Sequence, residues 1–264
     1  MTTTTWALAS QGLGIRFGGH AAVDDVSAGF AAGTLTAIVG PNGAGKTTYF
    51  NLLSGQLRAS TGAVYFRGQD ITRLSAAQRT ARGIGRAFQL TQLFPRLSVA
   101  ENVRLAVQSR HRAGANMLAL WRSRSDLVAQ AEACLEQVGL AARRDDTAAK
   151  LSHGDKRKLE VAILMALEPE VVMFDEPTAG MSVDEVPVIL ELIRRLKARG
   201  DKTILLVEHK MDVIHSLADR IVVLHNGRLV ADGLPAEVMA SPLVQEAYLG
   251  VKRKPSRPNE VAHA

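Results

Sequence analysis

Short apolar stretches broken by glycine and aspartate fill residues 6–37 and run into the apolar segment Leu35–Val39. Runs of this length bounded by turn residues read as strands, the last of them buried. A glycine-rich stretch follows at once. Residues 47–57 then place Tyr49, Phe50, Leu52 and Leu53 at helical spacing and stop near Gly55. The pattern therefore predicts a strand, a glycine loop and a helix in direct succession. Residues 99–150 differ in texture, being rich in charge, alanine and leucine and poor in β-branched residues. This predicts helices interrupted near Gly114 and Gly139. Two more buried strands are expected at residues 171–175 and 203–208, with helical periodicity between them at Ile189, Leu192, Ile193 and Leu196. A last strand at 221–224 leads into a turn at Asn226 and Gly227. Strands alternating with helices predict an α/β fold with a parallel core sheet, and residues 99–165 read as a helical subdomain. No internal repeat is visible.

Composition changes this picture little. Of 264 residues, 47% are hydrophobic and 22% charged, which supplies a sizeable core and excludes wholesale disorder. The length fits one large domain or a main domain with a subdomain. Aromatics are only 5%, so the core is aliphatic. The single cysteine, Cys134, excludes an internal disulfide. It lies in a helical run (131–139) and reads as a small core residue, which agrees with a reducing, cytosolic setting. A membrane-spanning helix needs about 18 or more apolar residues, and the longest run here covers 161–167. Residues 1–5 lack the basic and apolar regions of a secretory signal. A soluble protein is expected.

The net charge of +6 invites a nucleic-acid reading, but the basic residues are scattered. Their one cluster, Lys252, Arg253, Lys254 and Arg257, falls in a proline-containing tail (251–264) expected to be disordered. No nucleic-acid partner is expected. A chain docked beneath an anionic leaflet tolerates such a balance.

The glycine loop carries the first chemistry. Gly40, Pro41, Asn42, Gly43, Ala44, Gly45, Lys46 and Thr47 match G-x-x-x-x-G-K-[ST] between a buried strand and an amphipathic helix. Glycines let backbone N–H groups turn inward around phosphates, Lys46 supplies positive charge to the β/γ oxygens, and Thr47 offers a hydroxyl to Mg²⁺. The helix beginning at Thr47 points its N-terminal dipole at the same anion. A phosphate loop alone leaves kinases, GTPases and many ATPases open.

Asp175 and Glu176 end the segment 171–176, an otherwise apolar strand. In a phosphate-loop fold this strand is expected beside the one carrying the loop. Asp175 then helps hold Mg²⁺, and Glu176 is placed to polarise an attacking water. Read without the loop, the same residues are an ordinary strand end running into Pro177.

Taken together, Gly40 to Thr48, Phe88 and Gln89, Leu151 to Asp155, Phe174 to Pro177 and Val207 to His209 stand in the order and spacing of the ABC ATPase family. The chain resembles that family over roughly residues 6–250. The resemblance implies a P-loop ABC ATPase core with a parallel sheet, an antiparallel β subdomain and a helical subdomain at about 90–165, binding ATP and Mg²⁺. It implies that Thr48 joins the phosphate loop, and that Gln89 reaches Mg²⁺ and the attacking water. It makes His209 the switch histidine at the γ-phosphate and Phe17 the aromatic stacked on adenine. Read alone, Gln89 is a loop amide, His209 a structural histidine and Phe17 a core residue.

Ser152 caps the helix expected from about His153 to Leu167, with Asp155 at its third position, an S-x-x-D start. The resemblance adds that this start, including Ser152 and Gly154, faces the γ-phosphate held by the other subunit, where free N–H groups suit an anion. The family pattern there is Ser-Gly-Gly-Gln. His153 replaces the first glycine and Asp155 the glutamine, so a carboxylate comes near a phosphate unless it turns back onto the cap. Arg157 and Lys158 are the nearby cations that would offset it. Ser182 stands where the family often has aspartate.

One phosphate loop and one signature imply a head-to-tail pair, either a homodimer or a heterodimer with a paralogous ATPase. The absence of a spanning segment implies two separate permease subunits, with a solute-binding protein engaged indirectly, and a peripheral place on the cytoplasmic face of the plasma membrane. Arg86 to Pro95, the long 104–150 segment, Ala179 to Met181 and Glu208 to Asp212 resemble the importers of branched-chain and other hydrophobic amino acids. Urea importers are the alternative within the family, and soluble ABC ATPases or P-loop kinases lie outside it. The chain ends soon after Gly250, so no added regulatory domain is expected.

Overall fold

The computed structural model describes residues 6–87, 93–111, 125–242 and 244. The expected break near Gly114, Gln89 and the tail 251–264 lie outside the described residues.

Two sheets organise the chain. Strands β1 (Trp6–Phe17), β2 (His20–Ala31), β4 (Thr61–Phe66) and β5 (Gln69–Asp70) form an antiparallel sheet in the order β2-β1-β4-β5. Strands β3 (Leu35–Val39), β6 (Ile84–Ala87), β7 (Val171–Asp175), β8 (Thr203–Val207), β9 (Arg220–His225) and β10 (Arg228–Gly233) form the second sheet, in the order β10-β9-β3-β8-β7-β6. Within it β9, β3, β8, β7 and β6 are parallel, and β10 returns antiparallel beside β9. The fold is mixed α/β, as the alternation of strands and helices predicts.

One expectation fails. The strand ending in Asp175 is not beside the strand carrying the glycine loop, because β8 lies between them and pairs with both. All five residues of each of β3, β7 and β8 are buried, so the three are equally fit for the sheet interior. Apolar runs this similar do not specify their own order. The helix α6 (Val186–Ala198), burying Ile189, Leu190, Leu192, Ile193 and Leu196, crosses over the sheet and delivers β8 into the gap.

The helix α1 (Lys46–Ser54) follows the glycine loop and buries Tyr49, Phe50, Leu52 and Leu53 between the two sheets. The opposite face of the parallel sheet packs on α5 (His153–Leu167) and α6 through Leu159, Ala162, Ile189 and Ile193, while α3 (Val99–Arg110) and α4 (Ser125–Gln137) pack on α5 and on each other in the same apolar cluster. Cys134 packs at the margin of this cluster, and burial pushes its thiol up. None of the described helices is long and apolar enough to cross a membrane.

The far end of α1 depends on a buried arginine. The last carbonyls of a helix have no intrahelical donor. Arg79, from the short helix α2 (Ala76–Thr80), lies 2% exposed and donates to Leu52 O and Leu53 O, both at 2.7 Å, and to Thr72 O at 3.0 Å. Burial lowers its pKa to about 10, still far above neutrality, so it caps α1 as a cation. Arg79→Met keeps the bulk and removes the donors. Leaving buried acceptors unpaired costs about 1–3 kcal/mol, and the thermal midpoint is expected to fall by roughly 2–4 °C per kcal/mol. An unchanged midpoint in thermal unfolding would show that water replaces the guanidinium.

Candidate active site

The glycine loop is shaped by its neighbours. Gly45 takes φ of 96°, and a Cβ there would lie 2.4 Å from Ala22 O, so both backbone conformation and space require glycine. The turn after β9 closes over the loop. Gly227 N–H donates to Ala44 O at 3.0 Å, while Gly227 O accepts from Asp24 N–H at 2.8 Å. The expected Asn226–Gly227 turn thus also pins the loop against β2.

Lys46 is 6% exposed, with Nζ donating to Gly40 O at 2.8 Å and Pro41 O at 2.9 Å. A lysine has three donors, so one remains for an incoming oxygen. Burial lowers its pKa, and the nearby charges of Glu176 and Asp175 oppose that shift. Lys46 lines a cleft of about 210 Å³ together with Asn42 to Thr48, Glu176 and His209.

Asp175 ends β7 as a buried carboxylate. Its Oδ2 accepts from Arg86 Nη2 at 2.6 Å, an ion pair whose side chains are 4% and 7% exposed. Burial raises the Asp175 pKa against the pull of Arg86. Arg86 also donates to Asn51 Oδ1 at 2.6 Å and Ser54 Oγ at 2.9 Å, so it ties β6 and β7 to α1. The sequence reading gave Arg86 no role. A charged residue inside the otherwise apolar strand Ile84–Ala87 was the available signal, because a buried cation needs a partner.

Glu176 follows with φ of 50°, a left-handed backbone that costs a non-glycine residue about 1–2 kcal/mol. Strain of this kind clusters at active sites. Its N–H donates to Val207 O at 2.9 Å, and its Oε1 lies 2.8 Å from His209 Nε2. An ionised carboxylate only accepts, so Nε2 carries the proton. Strand register accounts for this meeting. Asp175 pairs with Val207, and the chains leaving β7 and β8 emerge side by side.

Phe17 ends β1, 52% exposed, opposite His20 across the β1–β2 turn. It is His20 that lines the cleft, and no sequence pattern marked it. Gln89 falls outside the described residues.

Ser152 and Gly154 do not line this cleft. Ser152 caps α5, its Oγ accepting from Asp155 N–H at 3.1 Å, as expected. The reciprocal half of the capping box is not made. The Asp155 carboxylate accepts instead from Arg143 Nη1 at 2.7 Å and Lys158 Nζ at 2.9 Å. Burial opposes its charge, but the hydrogen bonds from Lys158 and Arg143 hold its carboxyl below the usual value. Arg157, expected to share in this, pairs with Glu160. Arg143, distant in sequence, takes its place. A Cβ on Gly154 would lie 2.0 Å from Glu185 Oε1, so the start of α6 packs directly on the start of α5. Glu185 Oε2 in turn accepts from Ser182 N–H at 3.1 Å, which gives the unexpected serine a local partner.

Residues 23–179 match the family described as "ABC transporter", and residues 228–253 that described as "Branched-chain amino acid ATP-binding cassette transporter". The chain is 38% identical over 248 residues to the high-affinity branched-chain amino acid transport ATP-binding protein LivG of Salmonella typhimurium, covering 92% of this chain and 97% of that protein. It is 36% identical to BraF of Pseudomonas aeruginosa, similarly described, over 91% of this chain and 96% of that one. An ATP-binding cassette of an ABC transporter, crystallised in its ADP conformation, superposes with a TM-score of 0.79 at 30% identity, covering 94% of this chain and 100% of that one. The chain therefore belongs to the ABC transporter family, as an ATP-binding and ATP-hydrolysing cassette of the group that includes LivG and BraF.

Proposed function

We propose that the chain hydrolyses ATP to power an importer of branched-chain or other hydrophobic amino acids. The observation that carries the hydrolytic reading is the cleft joining Lys46, Thr47, Glu176 and His209. Similarity to LivG and BraF, and the match over 228–253, support the substrate class.

The backbone N–H groups of Gly40 to Thr48 receive the phosphates, with Lys46 as the buried counter-charge. Thr47 and Asp175 suit Mg²⁺, which favours a few hard oxygen ligands completed by phosphate and water over an all-protein cage. When bound, the ion neutralises charge on the phosphate oxygens. Glu176 accepts the proton of the attacking water, and His209 orients that carboxylate through Nε2. Gln89 is assigned to the same water and metal, and Phe17 to the adenine ring. Because Ser152 and Gly154 lie away from this chain's own cleft, they serve the nucleotide of a second cassette, identical or paralogous, in a head-to-tail pair. Two permease subunits, and through them a solute-binding protein, complete an assembly that holds this chain peripherally on the cytoplasmic face of the membrane.

Three variants test this reading. Glu176→Gln is expected to bind ATP normally while phosphate release falls about 10²-fold or more; near-normal turnover with intact folding rejects Glu176 as the base. Lys46→Ala loses a charge-assisted contact of about 1.5–3 kcal/mol, so nucleotide titration should show affinity reduced by roughly 10- to 100-fold. Equal binding by parent and variant rejects the cradle.

Asp155→Gln leaves Arg143 and Lys158 without their shared carboxylate at the start of α5, so positive potential rises there. ATP-dependent dimerisation should improve, most at low salt where screening is weakest, and no gain at low salt would show that the carboxylate does not face the second nucleotide. Its folded pKa is depressed, so the stability it adds is present above the ordinary aspartate value of about 3.9 and is lost as pH falls through the folded value. The small stability deficit of the variant, about 0–1 kcal/mol for partly exposed pairs, should therefore vanish in acid unfolding series.

A further inference from the structure

Glu208 is 3% exposed, yet the sites described above make no use of it. Its carboxylate is acceptor-only when ionised, and burying such a group is unfavourable unless hydrogen bonds surround it. Three donors do so. Oε1 accepts from the Thr178 hydroxyl, itself 3% exposed. Oε2 accepts from the backbone N–H of His209 at 2.7 Å and of Lys210 at 3.2 Å.

These partners lie on the two loops that form the hydrolytic pair. Thr178 stands two residues after Glu176 on the chain leaving β7, and His209 and Lys210 follow Glu208 on the chain leaving β8. Beyond the backbone bond from Glu176 N–H to Val207 O, side chains bridge the loops twice, once by Glu176 with His209 and once by Thr178 with Glu208. The two bridges differ in burial. Glu176 and His209 have side chains 40% and 38% exposed, and a pair so open to water does little to hold two side chains in one geometry. The Thr178–Glu208 bridge is sealed from water, where a hydrogen bond is electrostatically stronger. It also grips the His209 backbone directly.

We propose that Glu208 is a positioning residue for ATP hydrolysis: its carboxylate, anchored by Thr178, fixes the backbone of residues 209 and 210 so that His209 meets Glu176. This rests on the assignment of His209 and Glu176 made above. Glu208→Gln retains size and one acceptor oxygen but turns an amide NH₂ toward donors, which breaks one side of the clamp. Thr178→Val breaks the other side without touching the carboxylate, and Thr178→Ser keeps the hydroxyl.

The test measures kcat and KM for ATP in parent and His209→Ala backgrounds, with amide hydrogen exchange at residues 209 and 210 in nucleotide-free protein. Misplacing a catalytic group by about 1 Å costs up to about 10²-fold in rate. Glu208→Gln and Thr178→Val are expected to lower kcat about tenfold with KM within about threefold, while Thr178→Ser stays near the parent. Exchange at the two amides should rise about tenfold in Glu208→Gln, since their protection is local. In the His209→Ala background Glu208→Gln should add less than about twofold, the non-additivity of residues acting as one unit. Equal losses in both backgrounds, or unchanged kcat and exchange, overturn the clamp. A His209→Ala variant with full turnover overturns the assignment of His209 itself, and the clamp's purpose with it.

Discussion

Three parallel strands end level with one another, and the site depends on that register. Ile38 of β3 pairs with Val207 of β8, and Val207 pairs with Asp175 of β7. From these ends leave the glycine loop at Gly40, the acidic pair Asp175 and Glu176, and the Glu208–His209 segment. A shift of one residue in any of the three would turn its side chains to the other face of the sheet. The residues could then be present in the chain and still not meet. Burial of every residue in all three strands is what makes the register unyielding.

The protein keeps several charges out of water. Lys46 uses the carbonyls of its own loop, Asp175 uses Arg86, and Arg79 uses the carbonyls closing α1. Glu208 uses a hydroxyl and two backbone amides. The first three of these meet at α1. Its first residue is Lys46, Asn51 and Ser54 bind Arg86, and its last carbonyls bind Arg79. The phosphate loop is thereby coupled to β6, the strand leading toward Gln89, and to β7. Buried ionic groups of this kind are costly to leave unpaired, so the network enforces one geometry more than it adds stability.

The start of α5 belongs to a different surface. Its cap is local and complete at Ser152, but its acidic third residue is drawn away by Arg143 and Lys158. Glu185 presses on Gly154 from α6. A helix start of this kind suits an anion, and in the proposed pair of cassettes this one, apart from the cleft of its own chain, serves the nucleotide of the second.

Much of this was legible in the amino-acid order. A strand, glycine loop and helix in succession, the capped start at Ser152, the helical faces around Ile189 and the turn at Asn226 all follow from local rules of spacing, backbone conformation and capping, which act over a few residues. The glycine loop and the Asp175–Glu176 pair could be singled out for the same reason, since each motif is contiguous. What depends on distant segments was not legible. The placement of β8 between β3 and β7, the Arg86–Asp175 pair across 89 residues, the approach of His20 to the cleft and the Arg143 hold on Asp155 were decided only by tertiary structure. Apolar strands are interchangeable to a local pattern, and a buried charge announces that it needs a partner without saying which one the folded sheet will bring.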